Sequence, residues 1–193
     1  MDGGAASTND HPTTAELEAA LDHIRRSPTD LGRLEAIVRR PAPLEREVLV
    51  EGELSLTEGL VGDCWRSRGS RHTDDGAAHP EMQLNLMNSR ALAAVSPDPA
   101  RRPLAGDQLH VDLALGPDDL PPGSRLSIGT AVVEVTARPH RGCAKFRDRF
   151  GVDAVRFVNS PVGRQLNLRG VNARVVEPGT VRVGDAISVT RPA

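Results

Sequence analysis

The chain has 193 residues, a formal net charge of −2, and only three Phe, one Trp and no Tyr. This length suits one domain with a buried core, and the small net charge gives no electrostatic bias toward nucleic acid or a membrane surface. Few aromatic side chains are available as a stacking platform for single-stranded nucleic acid. We therefore expect no nucleic-acid partner and no membrane partner.

Apolar runs and cysteines indicate the compartment. No stretch approaches the roughly 20 apolar residues that a membrane helix needs. The start, Met1 to Asn9, is small and polar and lacks the basic and apolar regions of a signal peptide. Two cysteines, Cys64 and Cys143, are too few for a disulfide framework. These features predict a cytoplasmic protein with free thiols.

The N-terminal part is predicted to be helical. Residues 1–11 are small and polar, which predicts a disordered tail. Thr13 and Glu16 fit a capping box in front of apolar residues at helical spacing. Pro28 stands where a second helix would begin, and apolar residues again follow at helical spacing: Leu31, Leu34, Ile37 and Val38. We therefore predict a helical appendage over residues 12–43, built as a helical hairpin.

From Glu47 the period changes to two, which is typical of strands. Alternating runs cover residues 48–56, 82–86, 109–115, 131–135, 170–176, 181–183 and 187–189. Asn88 or Ser89 is expected to cap a short helix, Gly151 to end a helix that follows Cys143, and Gly184-Asp185 to form a hairpin turn. The short strands with regular Gly and Pro between them predict a mainly β (α+β) domain over 46–191. We expect a closed or nearly closed β-barrel with short peripheral helices.

Cys143 is the predicted chemical centre. It follows a predicted strand, and four basic or imidazole side chains lie within five residues of it: Arg138, His140, Arg141 and Lys145. Positive neighbours favour the thiolate, which is the form that attacks sulfur or binds a soft metal. The alternative is an unreactive cysteine at a strand end whose basic neighbours face water. Cys64 is interpreted as a packed thiol rather than a partner for Cys143.

Residues 59–189 resemble the MOSC domain, named for the C-terminal domain of molybdenum cofactor sulfurase. The order and spacing of several segments carry this resemblance: Gly106-Asp107-Gln108-Leu109, Leu120-Pro121-Pro122-Gly123, Leu126-Ser127-Ile128-Gly129, Cys143-Ala144-Lys145-Phe146, Leu168 to Val175, and Gly179 to Asp185. Two departures are visible. Gln108 stands near a position where the family commonly has Asn, and the N-terminal β-domain of the larger mitochondrial-type members is missing. The chain resembles a stand-alone bacterial MOSC protein.

The resemblance implies a barrel that binds molybdenum cofactor, with Cys143 as molybdenum ligand or persulfide carrier. The implied reaction is sulfur transfer, or reduction of N-hydroxylated compounds with electrons from a redox partner. His140 is a candidate acid or base near neutral pH. Further residues are candidates for binding the pterin or its phosphate: Arg138, Arg141, Lys145, Arg169, Gln83, Asn85, Asp107 and Gln108.

Lysine usage excludes one cofactor. Pyridoxal phosphate is held as a lysine Schiff base, and Lys145, the only lysine, has no supporting pattern around it. No pyridoxal phosphate is expected, so sulfur would have to come from a separate desulfurase. Two alternatives from other classes stay open: a non-catalytic β-barrel that binds a ligand or partner, and a regulatory protein whose residues 12–40 dock a partner.

Overall fold

The computed structural model describes residues 11–192, so all but the last residue of the predicted tail 1–11 lies outside the described part. Its strands are β1 (Leu31–Arg39), β2 (Glu47–Leu49), β3 (Glu51–Ser55), β4 (Gly59–Leu60), β5 (Leu84–Asn88), β6 (Leu109–Asp112), β7 (Arg125–Ile128), β8 (Ala131–Val135), β9 (Val171–Glu177), β10 (Gly179–Arg182) and β11 (Ala186–Thr190). Its α-helices are α1 (Thr14–Ala19), α2 (Leu21–Arg25), α3 (Trp65–Arg68), α4 (Ser89–Val95), α5 (Ala144–Asn159) and α6 (Pro161–Gln165). Short 3₁₀ helices span Pro80–Met82 and Pro99–Ala105.

Seven strands close into a barrel. They follow the order β11-β7-β8-β9-β5-β6-β1, and the pairing of β1 with β11 completes the ring. All neighbours are antiparallel except β5 and β6, which run parallel. The short β2 extends the sheet from β1, and β10, β3 and β4 form a separate small sheet. The closed, mainly β barrel with short helices is therefore confirmed.

Two apolar clusters hold the elements together. Aliphatic side chains from the strands fill the barrel, and among them Leu34, Leu86 and Leu126 have no exposed surface. A second cluster lies under the helices, where Leu17 packs with Phe146 and other side chains. Burying an aliphatic or aromatic side chain of this size stabilises the fold by roughly 1.5–3 kcal/mol, so both clusters contribute strongly to the stability of the fold.

The prediction of a second helix over residues 28–40 is wrong. Residues Leu31–Arg39 form β1, which pairs with β11, β6 and β2 and closes the barrel. Only α1 and α2 in this part of the chain are helical. The cause is a register shift between Leu34 and Ala36 in the pairing with β6. The shift moves the buried positions from Gly32 and Leu34 to Ile37 and Val38, and this broken alternation imitates helical spacing.

The predicted hairpin at Gly184-Asp185 is also wrong. Strand β10 pairs with β3, whereas β11 pairs with β7 and β1, so the chain passes from the small sheet into the barrel at this turn. Three helix boundaries are confirmed. The capping box of Thr13 and Glu16 begins α1, the Asn88 side chain caps α4, and Gly151 with a φ of 91° interrupts α5.

Candidate functional site

Cys143 lies at the end of a loop that two asparagines hold in place. The loop joins β8 to α5, and Cys143 directly precedes the helix. The side-chain amide of Asn159 donates to the Gly142 carbonyl (2.9 Å) and its oxygen accepts from the Gly142 N–H (3.0 Å). The Asn172 amide donates to the Arg138 carbonyl (2.9 Å). A Cβ on Gly142 would lie 2.8 Å from Val158, so the clamp requires glycine.

The Cys143 side chain is exposed at a cleft of about 210 Å³, which we call the cysteine cleft. No Asp or Glu is among its lining residues within residues 11–192. Cys64 also lines it, although that thiol is only 6% exposed. Six cationic side chains line the cleft: Arg40, Arg46, Arg68, Lys145, Arg149 and Arg169. The cleft therefore offers a thiol in strongly positive surroundings.

Two of these cations form ion pairs with buried carboxylates. Arg40 and Asp63 form a bidentate pair, with distances of 2.7 Å from Nη2 to Oδ1 and 2.8 Å from Nε to Oδ2. Arg169 Nη1 lies 2.8 and 2.7 Å from the two oxygens of Asp107. The Arg40 and Asp63 side chains are 5% and 0% exposed, and those of Arg169 and Asp107 are 8% and 0% exposed. Charges buried this deeply need such partners.

His140 lies between Asp107 and the cysteine cleft. Its Nδ1 is 3.5 Å from Asp107 Oδ1. Burial and then the positive charge of Arg169 lower the pKa of His140 from 6.5 to about 3. For Asp107, burial is the largest single influence and raises the pKa, but the attraction of Arg169, His140 and His110 together with the hydrogen bond from Arg169 gives a net downward shift of its pKa. At neutral pH the cleft therefore holds a neutral imidazole beside an ionised, arginine-paired carboxylate.

The other four cations have no carboxylate partner among residues 11–192: Arg46, Arg68, Lys145 and Arg149. The Nε of Arg46 is buried without a hydrogen-bond partner. Burial and then repulsion from Arg149 lower the pKa of Arg46, and burial and then Arg40 lower that of Arg68. Guanidinium groups crowded together in this way favour the binding of an oxyanion.

The structure distributes the predicted site residues over three places. Cys143, His140, Lys145, Asn85 and Arg169 line the cysteine cleft, with Asp107 buried beneath it. Gln83 and Gln108 are buried in the barrel wall, where Gln83 joins the Leu56 carbonyl to the Val175 N–H and Gln108 accepts from the Asn85 N–H. Arg138 and Arg141 line a neighbouring cleft, which His140 also borders.

Sequence reasoning missed several lining residues and one supporting residue: Arg40, Arg46, Arg68, Arg149 and Asn172. Arg40 was assigned to a helix, so its position at the end of a barrel strand was hidden. Asp63, between Gly62 and Cys64, was the available signal, since a carboxylate in a turn beside apolar strands needs a partner. Arg46, Arg68 and Arg149 come from distant parts of the chain, so no local sequence pattern indicates that they line one cleft.

Within residues 11–192, no group of three or more His, Cys, Asp or Glu side chains is arranged to hold a metal ion. No helix in this part of the chain has the length and apolarity to cross a membrane.

Comparison with known proteins gives two kinds of similarity. A family model described as MOSC domain matches residues 73–188. The solved structure of YuaD from Bacillus subtilis has a TM-score of 0.64 at 15% identity, covering 84% of this chain and 97% of that one. YiiM from Escherichia coli has a TM-score of 0.55 at 18% identity, covering 83% and 71%. YiiM from Geobacillus stearothermophilus has a TM-score of 0.57 at 14% identity, covering 83% and 75%. No curated protein sequence matches this chain.

Proposed function

Because this chain belongs to the MOSC domain family, we propose that its cysteine cleft binds molybdenum cofactor, with the Cys143 thiolate as molybdenum ligand or persulfide carrier. One observation carries the proposal: the exposed thiol lies in a cleft lined by six cations and no carboxylate within residues 11–192. A thiolate is a soft ligand of the kind that transition metals of this type accept.

The residues of the cleft fit this cofactor. The pterin carries a phosphate, and Arg46, Arg68, Lys145 and Arg149 offer positive charge that no carboxylate of the described chain neutralises. The buried Nε of Arg46 has no partner and is free to donate to such an oxyanion. Asn85, which borders the cleft, can hydrogen-bond to the ring. One protein ligand suffices when the cofactor itself supplies the remaining donors to the metal.

The chain's own residues would act on the bound group as follows. The Asn159 clamp fixes the Gly142 backbone and so positions the Cys143 thiolate. Neutral His140 can donate or accept a hydrogen bond at the cleft without adding charge. When bound, the molybdenum centre supplies two-electron redox chemistry. Reduction of an N-hydroxylated amine consumes two electrons from a partner protein and two protons, and yields the amine and water.

The alternative is a barrel that binds a ligand or partner without catalysis. In that case the cations hold an anion and the thiol of Cys143 contributes nothing. Sulfur transfer and reduction both require Cys143, whereas non-catalytic binding does not. Substitution of Cys143 therefore distinguishes a catalytic protein from a binding module.

The test is the molybdenum and pterin content of protein purified from a molybdenum-replete host. We expect the wild type and Cys64→Ala, which keeps the exposed thiol, to carry both. Cys143→Ala should lose molybdenum or the persulfide. Cys143→Ala with unchanged molybdenum content and unchanged sulfur transfer would contradict the proposal.

A further inference from the structure

A second cleft, of about 250 Å³, lies beside the cysteine cleft. We call it the arginine cleft, because three arginines line it: Arg138, Arg141 and Arg164. His140 lines both clefts, so they adjoin at the loop that precedes Cys143. The volume suits part of a small molecule rather than a macromolecule.

The charge of the arginine cleft has no counterpart within residues 11–192. None of its lining residues is Asp or Glu. Within the described chain, none of the three guanidinium groups forms an ion pair with a carboxylate, and none donates a hydrogen bond. In contrast, the buried arginines Arg40 and Arg169 each pair with a carboxylate. Three unpaired guanidiniums around one concavity favour an oxyanion.

The floor of the arginine cleft is apolar and rigid. The buried side chains of Leu120, Val135 and Val171 contribute to its lining. Asn167, also in the lining, has a positive φ of 46° and is held there by donation from its side-chain amide to the Leu115 carbonyl (2.8 Å). Such a conformation costs free energy in a non-glycine residue and persists where surrounding contacts impose it. The Asn172 amide fixes the Arg138 backbone in the same way.

We infer that the arginine cleft binds the anionic group of the substrate, an organic oxyanion such as a phosphate monoester or carboxylate attached to a compact apolar body. The apolar part packs on the floor, and the reacting end passes His140 toward Cys143. Anion binding is independent of the cofactor, whereas the direction of the reacting end rests on the proposed function. The three arginines thus select the substrate class.

The first experiment measures binding of phenyl phosphate to the full-length protein by titration calorimetry. Its ring and dianion match the floor and the arginines. The triple variant Arg138→Gln, Arg141→Gln and Arg164→Gln should bind about 10–100-fold more weakly, since it loses charge-assisted hydrogen bonds. Arg26→Gln, at an exposed arginine between α2 and β1, is the matched control and should bind as the wild type does.

A further variant, Lys145→Gln, distinguishes the two clefts, because Lys145 lines only the cysteine cleft. Binding that survives Lys145→Gln and is lost in the triple variant supports the inference. Binding that is lost in Lys145→Gln and kept in the triple variant overturns it, as does the absence of any binding to the wild type.

The second experiment uses cofactor-loaded protein and two N-hydroxylated aryl compounds, one with a carboxylate and one with its methyl ester. The triple variant should raise KM at least about 10-fold for the carboxylate and leave the ester unchanged. An equal effect on both compounds overturns the substrate assignment. Failure of the proposed function would appear differently, as Cys143→Ala protein that keeps its molybdenum while phenyl phosphate still binds the arginine cleft.

Discussion

The barrel interior and the polar layer beneath the cysteine cleft are both buried, but they are held by different forces. The interior contains aliphatic side chains such as Leu86 and Leu126, and its contacts are non-directional. The polar layer contains two carboxylates, Asp63 and Asp107, each paired with an arginine. An aliphatic core loses stability in proportion to the volume removed, whereas an ion pair fails when one partner is lost.

This difference explains how a barrel can present six cations in one small cleft. Strand pairing and apolar packing supply the free energy of folding, so the polar layer is not required to add any. It only has to avoid leaving buried charges unpaired. Four of the cations remain without carboxylates in the described chain, at a cost that the barrel interior can offset.

The largest expected effect comes from breaking one buried pair. Arg169→Met removes the charge partner of the fully buried Asp107 carboxyl, and we expect a loss of about 3–5 kcal/mol in the free energy of unfolding. The double variant Arg169→Met/Asp107→Leu should recover most of it, because no charge is left behind. Chemical denaturation measures both. A double variant as unstable as the single one would show that the pair is not the cause.

A core truncation should be comparable or somewhat smaller and should leave the site intact. Leu126 has no exposed surface, and Leu126→Ala is expected to cost about 2–4 kcal/mol through lost packing and the cavity left behind. Alkylation of Cys143 by iodoacetamide should proceed at the wild-type rate in native buffer. A changed alkylation rate would mean that the barrel interior and the cysteine cleft are structurally coupled, and that they are not held independently of each other.

The third effect depends on pH. His110 in β6 is 4% exposed, and burial lowers its pKa from 6.5 to about 4. The unfolded chain therefore takes up this proton first as pH falls. The contribution of His110 to the free energy of unfolding is complete above about pH 6.5. It is lost between pH 6.5 and 4, by on the order of 1 kcal/mol per pH unit for a single group. Chemical denaturation at pH 7, 6 and 5 should show that the free energy of unfolding falls less steeply with pH in His110→Gln than in the wild type. His72→Gln is the control for loss of an exposed imidazole, and parallel curves for wild type and His110→Gln would refute this assignment.

The smallest effect has the opposite sign. Arg46 carries a buried Nε without a partner and is repelled by Arg149. Arg46→Gln should therefore stabilise the cofactor-free protein, by about 0.5 kcal/mol at low salt and less at high salt. Arg26→Gln is again the matched control. Thermal unfolding at two salt concentrations measures the change, and a loss above about 1 kcal/mol would mean that Arg46 has a structural role instead.

Local features of the sequence predicted most of the elements between residues 46 and 191. Alternation predicted most of the strands in this range but not the short β4 or β7, which lies in a segment interpreted as turns. The cap at Asn88 and the break at Gly151, like the cap at Thr13 further upstream, follow from side-chain chemistry within four residues. Strand β1 could not be predicted in this way, because its alternation changes phase at Ala36. The passage from β10 to β11 is likewise invisible locally, since both a hairpin and a corner between sheets use a Gly-Asp turn.

The predicted residues that line the cysteine cleft are either neighbours of Cys143 in the chain or, like Asn85 and Arg169, were implied by the family resemblance; several other lining residues from distant segments were missed. Cys143, His140 and Lys145 lie together in sequence and in the cleft. Arg138 and Arg141 are equally close in sequence, but the loop directs them to the arginine cleft. Arg46 and Arg149 are about a hundred residues apart, and only barrel closure brings them to one surface.

Barrel closure by β1 has a consequence for dividing the chain. The match to the MOSC family begins at residue 73, after β1, Arg40, Arg46 and Arg68. A fragment cut at that boundary would leave β6 and β11 as two open sheet edges, each with a row of unpaired backbone N–H and C=O groups. Such edges recruit other chains, so the excised fragment should aggregate. The segment before the match therefore completes the barrel wall, because its strand β1 covers both of these edges.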